Sequence, residues 1–360
     1  MQNRKWPLRT LLSALACSMI LYAGGCSAVL QTPVGELLGH PQAQGMNQET
    51  EPLEQELFVP EAVPLTHVPN LPASTNPNEY TFAWMSDTQL YSRAHPEIFS
   101  AMTGWLAANA QPMNIKFLVH TGDLVHVCES GEEWQNANAA MSLLDGHLRY
   151  SIVPGNHDLA KIGDPTATFL RYYGGSRWGS SSRMQWFEGG IGNMQIIDTG
   201  NREYLFLSLG YNPSAQAIQW ANDRLAEHPE LIAILSTHNY MRSNGELSDT
   251  GRQLYDQIVV KNPNVRLVLC GHNHEAQSRA SFLDDNGDGQ PDRAVTQLLA
   301  DYQAATENGG DGYLRLLTVD EVNQTLRVRT YSPWLDDYDF YDAENFPGKD
   351  TFDIDISDWW

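Results

Sequence analysis

The chain alternates between apolar blocks typical of buried strands and longer segments in which apolar residues recur at helical spacing. Five apolar blocks are predicted to be strands, at 80–85, 115–120, 150–153, 231–236 and 265–270. The segments that precede or separate them predict helices at 97–109, 132–144, 212–227 and 250–260. We expect the third helix to start at Asn212 and Pro213, a favourable cap and first-turn pair.

The pattern changes after residue 274, where helical spacing fades and short strands are predicted at 313–319, 326–331 and 352–356. The last of these alternates Phe352, Ile354 and Ile356 with two aspartates, which indicates a strand with one buried face. The sequence therefore predicts an α/β fold, a four-layer α/β/β/α sandwich of two mixed β-sheets flanked by helices.

The first 26 residues have the pattern of an export signal. Three basic residues precede an apolar run at 11–22, which is too short to cross a hydrocarbon layer that needs about 20 residues. Small residues then lead to Cys26, a pattern that resembles the lipobox of bacterial lipoproteins, although Ala23 stands where that motif usually has Leu. We expect cleavage before Cys26 and lipid attachment to it, with ordinary secretion or a retained signal anchor as alternatives.

The next stretch, 27–78, is polar and rich in proline and shows no regular spacing, which predicts a flexible linker. The expected organisation is thus a signal segment at 1–26, a linker at 27–78 and one folded domain at 79–357. Together these features predict an extracytoplasmic protein of the cell envelope, held to a membrane through lipid on Cys26.

The composition restricts the partners. Asp and Glu number 44 against 22 Lys and Arg, for a formal net charge of −22 at pH 7. Such a surface repels phosphate backbones, and no basic stripe offsets it, so we do not expect nucleic acid as a partner. Of the four cysteines, only Cys128 and Cys270 lie in the expected domain, which excludes a disulfide framework but leaves one bridge or two buried thiols open.

A polar cluster follows each of the five apolar strands, and such strand ends form the active crevice of α/β sheets. In chain order the clusters are Asp87-Thr88-Gln89, Gly122-Asp123, Gly155-Asn156-His157-Asp158, Thr237-His238 and Gly271-His272-Asn273-His274. A turn, a helix cap or a core histidine would explain any one cluster alone. Their order within 80–330 resembles the five motifs of calcineurin-like metallophosphoesterases.

This resemblance implies two divalent metal ions, whose identity stays open among Mn, Zn, Mg and Fe. Carboxylate, imidazole and amide groups are suitable ligands for such ions. The seven expected ligands are Asp87, Gln89 and His274 for the first ion, Asn156, His238 and His272 for the second, and Asp123 as the bridge between both.

The resemblance also implies a reaction, the hydrolysis of a phosphomonoester or phosphodiester by a metal-bridging hydroxide. His157 would donate a hydrogen bond to the phosphate and protonate the leaving oxygen. The substrate would be a small molecule or a phosphoprotein, and the oligomeric state stays open. The alternative function is a catalytically silent envelope lipoprotein that uses the fold for binding or structure.

Two positions depart from the commonest family pattern. Gln89 stands where the first motif usually ends in His, so the first metal site is either tuned by an amide oxygen or lost. The second motif, 122–126, lacks the Asp and Arg that follow it in the Ser/Thr phosphatases, which argues against membership of that group.

Two further segments each allow two interpretations. The residues that match the start of a calcium loop are Asp284, Asn286 and Asp288. Because Val295 stands where a closing Glu would be, a polar hairpin turn competes with a weak calcium site. The nearest approach to a basic cluster consists of Arg171, Arg177 and Arg183. It predicts either a substrate lid or surface pairs with carboxylates.

We predict that Cys26 carries lipid and that residues 1–25 are absent from the mature protein. Mass spectrometry of the N-terminal peptide from the membrane fraction measures both, and Cys26→Ala should release the protein from that fraction. A soluble product cleaved elsewhere would contradict the lipid anchor and leave the catalytic interpretation untouched.

Overall fold

The computed structural model describes residues 76–304 and 306–360. The expected signal segment, Cys26 and nearly all of the expected linker lie outside these residues, so those interpretations stay predictions. Within the described ranges, no helix combines the length and apolar character needed to cross a membrane.

The secondary structure follows the predicted alternation. The strands of the described chain are β1 (Glu79–Met85), β2 (Ile115–His120), β3 (Tyr150–Ile152), β4 (Met184–Phe187), β5 (Gly192–Asp198), β6 (Glu203–Leu209), β7 (Ile232–Thr237), β8 (Val265–Cys270), β9 (Ala276–Leu283), β10 (Arg293–Ala300), β11 (Leu314–Asp320), β12 (Thr325–Ser332), β13 (Asp337–Tyr338) and β14 (Phe352–Asp355). The helices are α1 (Gln89–Ala94), α2 (Pro96–Asn109), α3 (Gly131–Ser142), α4 (Ala167–Tyr173), α5 (Ala215–Glu227) and α6 (Asp249–Leu254), which continues as a π-helical turn at Tyr255–Val259.

The strands form two mixed sheets. The first has the order β13-β12-β11-β1-β2-β3, with β14 paired to β12, and β1, β2 and β3 are parallel. The second has the order β4-β5-β6-β7-β8-β10-β9, and its parallel strands are β6, β7, β8 and β10. Antiparallel strands complete both sheets. The predicted fold class is therefore confirmed.

The apolar core occupies the space between the sheets and on their outer faces. Alternate residues of β1, such as Phe82, face the second sheet, and the ring centroids of Phe82 and Phe206 are 5.0 Å apart. Ala83 and Met85, on the opposite face of β1, pack in a second cluster with residues of α2 and α3. A third cluster joins β6 to β8 with α5 and α6. Three apolar layers thus hold four structural layers together.

The expected start of the third helix was wrong. Helix α5 begins at Ala215, because Ser214 has an extended backbone and its hydroxyl accepts a hydrogen bond from the N–H of Ala217 at 3.1 Å. Asn212 instead has a φ of 47°, which places it in the left-handed region and outside the helix. The short helices α1 and α4 were not anticipated.

Packing settles the state of the two cysteines and favours one interpretation of each of two further segments. Cys128 and Cys270 are buried free thiols. The segment 284–292 joins antiparallel β9 to β10, as the hairpin interpretation expected, and Asp284 accepts hydrogen bonds from turn N–H groups. Arg177 pairs with a carboxylate of Asp145 at 2.7 Å, and the guanidinium of Arg183 pairs with Glu203 at 2.6 Å. Surface pairing therefore explains two of the three arginines.

Candidate metal centre

The five polar clusters meet where the two sheets face each other. They follow β1, β2 and β3 of the first sheet and β7 and β8 of the second. The imidazole of His238, after β7, links the sheets through two bonds. Its Nδ1 lies 3.0 Å from the carbonyl oxygen of Thr121, and its Nε2 lies 3.3 Å from Oδ2 of Asp123. The bond to Thr121 fixes the ring so that Nε2 faces the cluster.

The residues expected at the second metal ion lie together. One donor atom from each of Asp123, His238 and His272 lies within 4.8 Å of the other two. The side-chain oxygen of Asn156 is 3.0 Å from Nε2 of His238. This half of the site therefore contains every ligand that the sequence predicts for it, in a buried or partly buried position.

The residues expected at the first metal ion are less completely assembled. Nε2 of Gln89 lies 3.4 Å from Oδ2 of Asp123, and Oδ2 of Asp87 accepts the backbone N–H of His272 at 3.0 Å. The imidazole of His274 is half exposed, and its Nε2 lies 3.0 Å from Nε2 of Gln303. The structure thus brings Gln89 to Asp123 and Asp87 to His272, and it places the side chain of His274 against Gln303.

The chemistry of this donor set fits divalent cations. The amide oxygen of Gln89 is buried and has no hydrogen-bond partner in the structure, although an unpaired buried acceptor costs about 1–3 kcal/mol. The buried carboxylates at the site are Asp87, Asp123, Asp158 and Asp301. Buried charges in proteins are paired or coordinate metals. A bound cation would give the amide oxygen a partner and would offset the negative charge of the buried carboxylates.

Backbone strain coincides with the expected ligands. The residues with φ in the left-handed region include Asp87, Asp123, His272 and His274. Asp tolerates this region, whereas for His it costs on the order of 1–3 kcal/mol, and such strain concentrates at functional sites. The tight turns also need glycine, because a Cβ on Gly271 would lie 2.1 Å from Oδ2 of Asp87. The strand ends are thus shaped to aim side chains at one point.

The electrostatics of the cluster indicate a demand for positive charge. Burial opposes the imidazolium form of His238, but the charge of Asp123 and the hydrogen bond to it raise the pKa of His238 to about 10. Burial alone raises the pKa of Asp87, and the nearby Asp301 raises it further. Burial, aided by the charge of His238, lowers the pKa of His272 to about 4. The carboxylates therefore favour a proton on His238, whereas burial leaves His272 neutral, the form that binds metals.

His157 is held beside the cluster by two backbone contacts. Its N–H donates to Oδ1 of Asp123 at 2.8 Å, and its Nδ1 lies 2.8 Å from the carbonyl oxygen of His126. The rings of His126 and His157 stack with centroids 4.9 Å apart. Because Nδ1 bonds to a carbonyl, Nε2 is the nitrogen that can face a substrate.

Two residues of the site, Asp301 and Gln303, were missed in the sequence, and Asp158 was named in the third cluster without a role. The carboxylate of Asp158 accepts the backbone N–H groups of Asp123 and Gly155, both at 2.8 Å, and so joins the second motif to the third. Asp301 accepts the N–H of His274 at 2.8 Å, and Gln303 contacts the His274 ring. A signal for the last two existed, because the apolar strand β10 also ends at a polar cluster.

The sequence resembles a known protein family and a curated relative. Residues 80–276 match the family described as calcineurin-like phosphoesterase. YvnB of Bacillus subtilis (strain 168), described as uncharacterized, is 39% identical over 279 residues, which are 77% of this chain and 22% of that protein. The chain therefore spans about a fifth of the length of this curated relative.

The fold has a counterpart among solved structures. A purple acid phosphatase isolated from yellow lupin (Lupinus luteus) seeds aligns with a TM-score of 0.54 at 12% identity. The alignment covers 77% of this chain and 54% of the lupin chain. At this identity the likeness shows a shared fold.

We predict that Gln89 sets the metal preference of the first site, because an amide oxygen is a harder and weaker donor than an imidazole nitrogen. Gln89→His should tighten Zn²⁺ binding at that site by about tenfold or more, or about 1.4 kcal/mol, while wild type tolerates Mn²⁺ or Mg²⁺. Isothermal titration of apo-protein with each metal measures this.

The matched control is Gln135→His, which adds an imidazole at an exposed position of α3. If Gln89→His and wild type bind every metal alike, Gln89 is not a ligand.

Proposed function

Because the chain belongs to the calcineurin-like phosphoesterase family, we propose that it hydrolyses phosphomonoesters or phosphodiesters with two divalent metal ions. The observation that carries the proposal is the convergence of Asp123, His238 and His272, whose donor atoms lie within 4.8 Å of one another. The buried, unpaired oxygen of Gln89 supports a second cation beside Asp123. Membership of the family supports metal dependence and phosphoester hydrolysis, and the dinuclear arrangement rests on the residues of the site.

The chain's own residues divide the work. Asp87, Gln89 and His274 would hold one ion, Asn156, His238 and His272 the other, and Asp123 would lie between them. The ions, when bound, would activate water and neutralise charge on the phosphoryl oxygens. Thr121 fixes the ring of His238 through its carbonyl, and Asp158 fixes the backbone at Asp123, so both ligands are held before substrate arrives.

His157 would act on the leaving group. The carbonyl of His126 accepts a hydrogen bond from its Nδ1–H, so a neutral ring has no proton on Nε2. In the imidazolium form, Nε2–H would donate a hydrogen bond to phosphate and its proton to the departing oxygen, which leaves the neutral ring with Nδ1–H in place. The ring is partly exposed, as contact with a substrate requires. A silent binding protein, the alternative function, has no physical need for such a donor beside a metal cluster.

The location and substrate belong to the same proposal. We place the enzyme at the outer face of a membrane through lipid on Cys26, where it would act on a small-molecule or phosphoprotein ester.

Metal analysis of the purified protein, combined with assays on p-nitrophenyl phosphate and bis-p-nitrophenyl phosphate, tests the activity and separates monoesters from diesters. A protein with full metal content and no activity on any phosphoester would favour the silent alternative.

Asp123→Asn should remove both bound metal and activity, because it neutralises the carboxylate that lies between the two sets of ligands. Inductively coupled plasma mass spectrometry measures the metal, and thermal melting confirms that the variant is folded. Asp223→Asn, at an exposed position on α5, is the matched control and should keep both properties. Retained metal in folded Asp123→Asn would refute the bridging role.

On an ester with a basic leaving group, such as phenyl phosphate, His157→Ala should lower turnover by about 10²–10⁴-fold. The metal content should stay unchanged, because His157 is assigned as a proton donor and not as a ligand. The control is His147→Ala, which removes an exposed imidazole near the end of the segment after α3. Full activity in His157→Ala would show that another group protonates the leaving oxygen.

A further inference from the structure

The group that contacts Nδ1 of His157 is a neutral peptide carbonyl and not a carboxylate. The oxygen belongs to His126, in the segment where the second motif lacks its additional Asp. A carbonyl sets the tautomer as a carboxylate would, but it carries no charge to strengthen the bond. The structure places a carboxylate against the backbone that carries this carbonyl, and not against the imidazole itself.

That carboxylate belongs to Glu133, in the first turn of α3. Its Oε2 accepts the backbone N–H of His126 at 2.7 Å and that of Val127 at 2.9 Å. The side chain is only 7% exposed, so both bonds lie in a largely water-excluded position. Glu133 therefore fixes the backbone on both sides of the His126 α-carbon.

The local sequence predicts a different hydrogen bond for the side chain of Glu133. Ser130 and Glu133 have the spacing of a capping box, in which the Glu side chain bonds back to the N–H of the capping Ser. Here the Ser130 hydroxyl accepts the N–H of Glu133 at 3.3 Å, but the N–H of Ser130 donates to the carbonyl of Val127 at 2.9 Å. The carboxylate of Glu133 is thus free of its capping role and reaches the segment that contacts His157.

The two contacts share one peptide group. The N–H of Val127, which donates to Glu133, and the C=O of His126, which accepts from His157, belong to the same peptide plane. A negative charge at one end of this plane polarises the carbonyl at the other end and strengthens its bond to an imidazole N–H.

From this geometry we propose that Glu133 is a positioning residue for His157. It acts through the peptide group between His126 and Val127, and it takes the place of the carboxylate that the second motif lacks. The inference rests on the proposed function, in which His157 protonates the leaving group. The stacked ring of His126 completes the support on the side of His157.

The test compares esters that differ only in the leaving group. A proton donor matters little when the leaving group is p-nitrophenolate and much when it is the more basic phenolate. Whichever p-nitrophenyl ester the wild type hydrolyses is assayed beside its phenyl counterpart. The variants are Glu133→Ala, Glu133→Asp, Glu133→Gln and His157→Ala, with Glu132→Ala as the matched control from the same turn, where Glu132 is exposed.

Glu133→Asp keeps the charge at the helix start and withdraws it by one methylene, so it should fold even if the alanine variant does not. We expect Glu133→Asp to lose about 10²-fold on the phenyl ester, the scale of a 1 Å misplacement, and far less on the p-nitrophenyl ester. Glu133→Gln, which keeps an acceptor at the same reach but carries no charge, should recover only part of the loss. In combination with His157→Ala, Glu133→Asp should cause no further loss, because both changes remove one function.

A second readout does not depend on turnover. In protein labelled with ¹⁵N-histidine, the Nδ1–H signal of His157 should be present in wild type and in Glu132→Ala, and weakened or shifted in Glu133→Asp. An equal loss on both esters, additive with His157→Ala, would show a merely structural role and overturn the inference. A wild type inactive on every ester would instead refute the proposed function, while the Nδ1–H signal would still report whether Glu133 holds the ring.

Discussion

A carboxylate buried at the meeting point of two sheets must be compensated by positive charge or by hydrogen-bond donors, and Asp123 is in that position. One of its oxygens accepts the N–H of His157, and the other lies near Gln89 and His238. The strained turns, the glycines and the cross-sheet bond from His238 to Thr121 all serve to bring partners to this one group. Without the charge of Asp123, these contacts would have no common partner.

Much of the fold could be predicted from the sequence because five strands are buried on both faces and therefore mostly apolar; these are β1, β2, β3, β7 and β8. The bounds of β2 and β8 agree with the predicted segments. A Thr-Gly pair follows His120 and a glycine follows Cys270, and these residues end the two strands. The start of α5 was missed because Asn212-Pro213 and Ser214 both carry start signals. The choice between them depends on a backbone angle that composition does not reveal.

The candidate site was predictable to a different extent. Residues that carry chemistry at strand ends, such as Asp123 and His238, are visible in a sequence because their types and order are distinctive. The roles of residues that act through the backbone are not visible in a sequence. Asp158 and Glu133 contact peptide N–H groups, which nearly every residue possesses. Only coordinates show which N–H groups they reach. Whether all seven expected ligands bind metal stays a prediction.

The cross-sheet origin of the ligands also has a consequence for how the chain matures. Asp87 and His272 contact each other across 185 positions of sequence, so closing that contact requires most of the domain to be in place. A partly folded chain would offer isolated Asp and His side chains, with no more affinity for a cation than a short peptide has. Metal capture would then be a late event of biogenesis. Bound metal would mark fully folded molecules. Because the metal binds the folded state and not the unfolded one, it would also stabilise the folded state at equilibrium.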